Sequence, residues 1–262
     1  MRGLSARIIS NAEIMPRVYL LRAEAPAIAC DTRPGQFVMV RTSLDCDPLL
    51  RRPLSIHRVH DNGEIALLYD VVGRGTEWLA QREAGATIDL LGPLGNGFTV
   101  DSPNLLLVAG GCGIAPLVFL ADIALAQGRR VVLLCGADTA ARVFPEQQLP
   151  HGALTTIVTE DGSLGQQGLA TDFIADALRK LAPQAEKIDP QDDMQIFACG
   201  PNDMYRAMAQ NDLLKGWNIQ VSLEARMGCG FGVCYGCTIH TRIGLKRVCR
   251  DGPVFKLTDL LL

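Results

Sequence analysis

The apolar residues of this chain change their rhythm twice. Over residues 1–100 they fall in short runs, "ARIISNAEI", "VYLLRAE", "QFVMVRT", "LSIHRV", "EIALLYDVV" and "ATIDLLGPLG", with turn signals such as Pro34-Gly35 and Asp61-Asn62-Gly63 between them. Short β-rich runs spaced by turn residues predict around six strands and a small antiparallel β-barrel. Only Thr76–Glu83, "TEWLAQRE", reads as a helix there. From residue 101 the rhythm differs. "NLLLVAGG" is a continuous apolar strand, "IAPLVFLADIALAQG" has helical spacing, and "RVVLLCGA", "LTTIVTED", "MQIFACGP" and "NIQVSLE" are further strands with helical segments such as "LATDFIADALRKLA" between them. This alternation predicts a doubly wound parallel α/β sheet over residues 101–222. Ala182–Asp193 reads as a polar loop within it. Residues 223–262 are rich in glycine, cysteine and basic residues and too poor in apolar ones to build a core alone; a bound metal can replace such a core.

Composition narrows the class. The chain has 262 residues, 48% apolar and 20% charged, with a net charge of -3. No basic tract stands out, which argues against a nucleic-acid partner. The stretch from Ser102 to Ala121 carries no charge and has the length of a membrane span, but Pro103, Gly110, Gly111, Gly113 and Pro116 interrupt it. A buried strand, a glycine turn and a helix explain it better than a span. The N-terminal residues show no apolar secretory core, and nine cysteines are an odd number. Both favour a reducing, cytoplasmic setting over a disulfide framework.

Four cysteines have the spacing C-x4-C-x2-C-x11-C: Cys229, Cys234, Cys237 and Cys249. The first three match the plant-type [2Fe–2S] signature. Gly228, Gly230, Gly232 and Gly236 let the backbone curl so that N–H groups face the sulfurs, and Arg226, Lys246, Arg247 and Arg250 add positive charge. The alternative is structural zinc, which more often uses two separated cysteine pairs. Cys30, Cys46 and Cys135 read as ordinary thiols, and Cys112 as packed in the glycine turn. His57 reads equally well as facing a ligand or lying on a strand surface.

Two glycine turns close strands. "LLVAGGCGIAP" stands just before a helix, where an open α/β sheet binds a dinucleotide pyrophosphate on N–H groups; "FACGPNDM" is a second such turn. Either alone is also an ordinary strand–helix connection. "RRPLSIHRV" offers a guanidinium able to hold a pyrophosphate bidentately, and "GRGTEW" opens a helix with free N–H groups. On spacing alone, a surface arginine and a turn serine explain the former as well.

Together these motifs resemble the ferredoxin–NADP reductase superfamily over essentially the whole chain. "LEARMGCGFGVCYGC" resembles more narrowly the electron-transfer subunits of class 1B dihydroorotate dehydrogenases. The resemblance implies an FAD-binding barrel, an NAD-binding α/β domain and a [2Fe–2S] module. It implies that Arg52, Pro53, Leu54 and Ser55 form the flavin motif, with Leu54 where an aromatic residue is usual, so that flavin stacking there is either weaker or supplied by Tyr69. Tyr69, Asp70 and Val71 would lie beside the flavin, and Gly75 and Thr76 would form the FAD pyrophosphate turn. Gly110, Gly111, Gly113 and Pro116 would form the NAD(H) turn, and Cys199, Gly200 and Pro201 the turn beside the nicotinamide. Ser222 stands where many members end in an aromatic residue on the flavin. Ser55 would tune the flavin and Cys199 shape hydride transfer. Asp138, just past the strand "RVVLLCGA", would favour NADH by accepting from a free ribose hydroxyl, although it could also merely cap the next turn. The implied partner is an FMN-containing dihydroorotate dehydrogenase catalytic subunit, two of each chain forming a heterotetramer in pyrimidine biosynthesis. A diaphorase-type flavin subunit of a hydrogenase or of an NADPH–ferredoxin oxidoreductase, and a non-enzymatic redox sensor, are the other readings.

Overall fold

The computed structural model describes residues 1–43, 47–182 and 193–262. Cys46 and most of the polar loop at 182–193 therefore lie outside the described residues. The chain forms two compact units, residues 1–97 with 223–254, and residues 98–222 with 255–262.

The first unit is built on a closed six-stranded barrel. Its strands are β1 (Arg2–Met15), β2 (Val18–Glu24), β3 (Phe37–Val40), β4 (Arg52–Val59), β5 (Glu64–Asp70) and β6 (Thr87–Leu94). They are arranged β1-β2-β5-β4-β3-β6, with antiparallel pairing throughout. Burial along β6 alternates in strict period two, which turns Ile88, Leu90 and Leu94 inward. Inward side chains such as Ile8, Leu21, Ile56 and Leu67 are fully buried, each contributing about 1.5–3 kcal/mol of apolar transfer. Two short helices decorate the barrel, α1 (Pro26–Ala29) and α2 (Arg74–Ala80). α2 begins two residues before the predicted helix because the Thr76 hydroxyl accepts from the N–H of Val72 (3.0 Å) and closes the turn ahead of it.

One strand breaks the period. In β4 both Ile56 and His57 are buried, because Ile56 faces Leu67 while Arg58 faces Ala66, leaving His57 as the extra residue of a bulge. His57 is fully buried, so it is not a surface strand residue.

The second unit carries a parallel sheet of β7 (Asn104–Gly110), β8 (Arg130–Ala137), β9 (Leu154–Thr159), β10 (Gln166–Gln167), β11 (Met194–Cys199) and β12 (Ile219–Ser222). Helices α3 (Ile114–Ala126), α4 (Ile174–Leu181) and α5 (Asn202–Gln210) connect them. The uncharged stretch is accounted for here. β7 lies at the sheet centre and α3 is buried on nearly every side from Ile114 to Ala121. Among the described residues no helix is long and apolar enough to cross a membrane. The strand order β10-β9-β8-β7-β11-β12 sends the chain outward from β7 in one direction and from β11 in the other. The carboxyl ends of β7 and β11 therefore flank the topological switch point, the position where open α/β sheets bind ligands.

Past Leu223 the chain makes a hairpin, β13 (Thr238–Thr241) with β14 (Gly244–Arg247), then helix α6 (Val248–Asp251) and strand β15 (Val254–Lys256), which lies beside β12. The hairpin fills the eleven-residue gap before Cys249.

Candidate functional site

In the barrel, two adjacent arginines have different fates. Arg51 donates to both carboxylate oxygens of Asp89 (3.0 and 2.8 Å) and to its carbonyl (3.1 Å), so it closes β4 onto β6. Among the described residues Arg52 makes no such pair; one of its nitrogens donates to the Leu50 carbonyl. Its guanidinium passes directly over Gly75, where an added Cβ would meet Nε at 2.6 Å. The fold thus brings together the arginine of β4 and the glycine opening α2, from separate sequence motifs, as a pyrophosphate cradle requires. Thr76 is buried, and its hydroxyl also donates to the Gly73 carbonyl at 3.0 Å, so it shapes the turn. Pro53, Leu54 and Ser55 run half-buried along β4, with Ser55 opposite Phe37.

Tyr69 corrects one expectation. Its ring is 2% exposed and stacks on Tyr19 with centroids 5.7 Å apart, and its hydroxyl donates to Asn11 at 3.0 Å. Burial raises its phenol far above the ordinary range, more than the Asn11 hydrogen bond lowers it. A ring packed in this way has no free face for a flavin, so it does not supply the stacking that Leu54 lacks. Val71 presents its carbonyl to Arg17 (2.6 Å). Asp70 lies near Glu224, whose carboxyl is raised by burial and then by the Asp70 charge. Glu224 was not singled out from the sequence, where nothing but the fold reveals its nearness to Asp70.

At the switch point of the sheet the two glycine turns interlock. An added Cβ on Gly113 would collide with the Cys199 carbonyl, and one on Gly110 would meet Pro201 Cδ at 2.7 Å. Gly111 has φ +54°, in the left-handed region that glycine tolerates. Pro116 sits in the first turn of α3, where its missing N–H breaks no helical bond. Cys199 is buried, aligned with Ala109 on one side and Ser222 on the other. Sequence reasoning missed Tyr205. Its hydroxyl accepts from the Gly200 N–H (3.0 Å) and donates to the Ser222 carbonyl (2.7 Å), tying the second turn to β12. Beside the turns, Ala109, Gly111, Gly136, Arg142 and Phe144 line a small cleft. Asp138 is exposed at the end of β8, with one carboxylate oxygen accepting from the Thr139 N–H at 3.0 Å. The N–H of Ala140, which opens the next turn, donates to the Ser163 hydroxyl (2.7 Å) and not to Asp138.

The four cysteines lie in the first unit as free thiols. Cys237 and Cys249 are buried, Cys229 is half-buried and Cys234 exposed. Backbone N–H groups face the sulfurs: Val233 to Cys229 (3.4 Å), Gly236 to Cys234 (3.5 Å) and Cys249 to Cys237 (3.4 Å). The sulfurs lie close to one another: Cys229 interacts with Cys234, and Cys249 with Cys237 and, less strongly, with Cys229. Burial pushes the Cys229 thiol up, but the N–H groups of Cys234, Phe231 and Val233 outweigh it and bring it down to about 6. Burial, with the neighbouring Cys237, holds Cys249 up at about 12. Among the described residues no three His, Cys, Asp or Glu side chains are disposed around a single ion. The glycines complete the fit: a Cβ on Gly228 would meet the Cys234 sulfur at 3.2 Å.

Comparison with known proteins agrees with this geometry. Residues 224–261 match the model of the iron–sulfur cluster binding domain of dihydroorotate dehydrogenase B, and residues 107–210 match the oxidoreductase NAD-binding domain. The chain is 38% identical to the electron transfer subunit of dihydroorotate dehydrogenase B (NAD(+)) from Bacillus caldolyticus, covering 97% of both chains. It is 37% identical to that of Desulforamulus reducens, covering 95% of both. Among solved structures, that of an NADH-dependent reduced ferredoxin-NADP oxidoreductase, described for flavin-based electron bifurcation, superposes with a TM-score of 0.82 at 28% identity, over 97% of this chain and 88% of the other. A ferredoxin NADP+ reductase from Neisseria gonorrhoeae shares the fold, with a TM-score of 0.67 at 15% identity over 85% of this chain and 100% of the other. An arginine poised over a glycine turn in a barrel, interlocked glycine turns at a sheet switch point and four neighbouring thiols thus occur together in a chain that belongs to the family of dihydroorotate dehydrogenase B (NAD(+)) electron transfer subunits.

Proposed function

We infer that this chain passes electrons between NAD(H) and a partner dihydroorotate dehydrogenase subunit, through FAD and a [2Fe–2S] cluster, in pyrimidine biosynthesis. The observation that carries this reading is the gathering of Cys229, Cys234, Cys237 and Cys249 in one unit, with backbone N–H groups facing three of the sulfurs. It suits a carrier of single electrons, and the family relationship supplies the partner. When bound, the flavin takes a hydride's two electrons and the cluster carries one at a time.

The chain's own residues bind and orient. Arg52 and the turn at Gly75 and Thr76 hold the FAD pyrophosphate, with Pro53, Leu54 and Ser55 along the flavin edge and the backbone of Tyr69, Asp70 and Val71 on the adjoining strand. Gly110, Gly111, Gly113 and Pro116 open α3 toward the NAD(H) pyrophosphate. Cys199, Gly200 and Pro201 set the nicotinamide side, held by Tyr205. Asp138 selects NADH. Electrons leave beside Cys234, the exposed cysteine, where Phe231, Val233 and Tyr235 also remain exposed. The partner is an FMN subunit and the assembly holds two of each chain. The setting is the cytoplasm, in keeping with an odd number of cysteines, nine.

The likeness to the NADH-dependent ferredoxin-NADP oxidoreductase favours a second reading, a flavin subunit with the same cofactors and a different partner. Co-expression with an FMN dihydroorotate dehydrogenase subunit decides between them. A complex that reduces NAD+ with dihydroorotate supports the first reading. No complex and no such activity rejects it.

A further inference from the structure

We propose that Arg247 and Asp251 are positioning residues of the iron–sulfur centre, forming with Asn96 a polar brace that ties the Cys229–Cys234 loop to the helix of Cys249 and both to the barrel. The proposal rests on the reading of the four cysteines as ligands of one [2Fe–2S] centre.

The brace is continuous. Arg247 donates from one terminal nitrogen to the Gly232 carbonyl at 2.9 Å, inside the Cys229–Cys234 loop. Its backbone N–H donates to the Asp251 carboxylate at 2.8 Å, and Nε points at the same oxygen at 3.4 Å. Its guanidinium also lies 5.1 Å from the ring centre of Tyr235, a non-glycine residue held at φ +58°. At the other end, Asn96 follows strand β6 of the barrel. Its side chain donates to the carbonyls of Asp251 (3.1 Å) and Val254 (3.0 Å) and accepts from the Val254 N–H (3.0 Å). Its own N–H donates to the Gly252 carbonyl at 2.6 Å. The barrel also meets the loop directly, since a Cβ on Gly230 would run into the Met39 side chain.

An exposed ion pair between residues four apart stabilises little. This one differs in two respects. Arg247 and Asp251 are only 21% and 29% exposed, and the groups they join belong to three separate segments. The brace joins the loop of Cys229 and Cys234 to the helix that carries Cys249. Releasing iron requires the Cys229–Cys234 loop to swing away from the helix of Cys249, and the brace opposes that motion. Groups that hold metal ligands in place typically change retention by about 10–100-fold when removed. Lysine in place of Arg247 keeps the charge, but a single ammonium on a flexible stem does not reproduce the planar fork.

The test uses the full chain, isolated anaerobically, as parent and as Arg247→Lys. Iron transfer to a chelator, FAD content and the electron paramagnetic resonance spectrum of the reduced protein are recorded. The brace predicts iron release about tenfold faster or more, an altered resonance spectrum and parental FAD content. Release at the parental rate with the parental spectrum overturns it, since charge alone then suffices. If Arg247→Lys also loses FAD and has failed to fold, Asp251→Ala decides by the same two readouts. A parent without acid-labile sulfide would overturn the functional reading itself; a cluster-bearing parent with unchanged variants overturns only the brace.

Discussion

At the scale of single residues, Arg51 and Arg52 show how neighbours with the same side chain divide structure from function. Arg51 is held by Asp89, whereas Arg52 lies over Gly75. Arg52→Ala should lose on the order of 1.5–3 kcal/mol of FAD affinity. Dialysis followed by flavin absorbance measures this, and normal FAD retention would remove Arg52 from the site. Cys135 makes the opposite kind of prediction. It is buried in β8 and its thiol is pushed up to about 12. Thiolate, the reactive form, appears only as pH rises toward that value, so from pH 7 to 9 the folded protein should leave Cys135 unlabelled by iodoacetamide while exposed Cys30 reacts. Peptide mass spectrometry reads both, and equal labelling contradicts the burial. Asp138 should give the parent a higher kcat/KM with NADH than with NADPH, and Asp138→Ser should narrow the ratio. A parent preferring NADPH contradicts this reading, and an unchanged ratio in the variant places the preference elsewhere.

At the scale of elements, the interlock of the two turns is the feature most open to test. A methyl on Gly113 would occupy the position of the Cys199 carbonyl. Gly113→Ala should push the ends of β7 and β11 apart, costing about 1–3 kcal/mol of stability and raising KM for NADH. A parental Tm and KM would mean the turns have slack. The strands and the long helix α3 were legible in the sequence because each keeps one period over its length. His57 was not, because a bulge shifts the period by one residue and only pairing with β5 reveals it. The packing of Tyr69 on Tyr19 was not legible, because a strand pattern does not tell which neighbour covers a ring. Tyr205 and Asn96 carried no signal, since each acts on backbone groups far away in sequence or across a turn; Arg247 was legible only as positive charge, and its bond to the Gly232 carbonyl shows only in the fold. The cysteines stood out by their spacing, but the approach of Cys249 to Cys237 depends on how the β13–β14 hairpin folds back and shows only in the fold.

At the scale of the whole molecule, a barrel, a parallel sheet and a glycine-rich cysteine segment each supply one station for electrons. The cysteine segment has too few apolar residues for a core of its own, and the structure packs residues 223–254 into one unit with the barrel. Metal binding and contact with the barrel both contribute to its order. The central claim is that electrons from NADH reach a two-iron centre on this chain. It is tested most directly by adding NADH anaerobically to the isolated chain, after assay of iron, sulfide and FAD. The account predicts about two irons and two acid-labile sulfides per chain, and NADH should bleach the iron–sulfur absorption and elicit the resonance of a one-electron-reduced [2Fe–2S] centre. Stoichiometric zinc without sulfide, or a cluster that NADH leaves oxidised while the flavin is reduced, would contradict it.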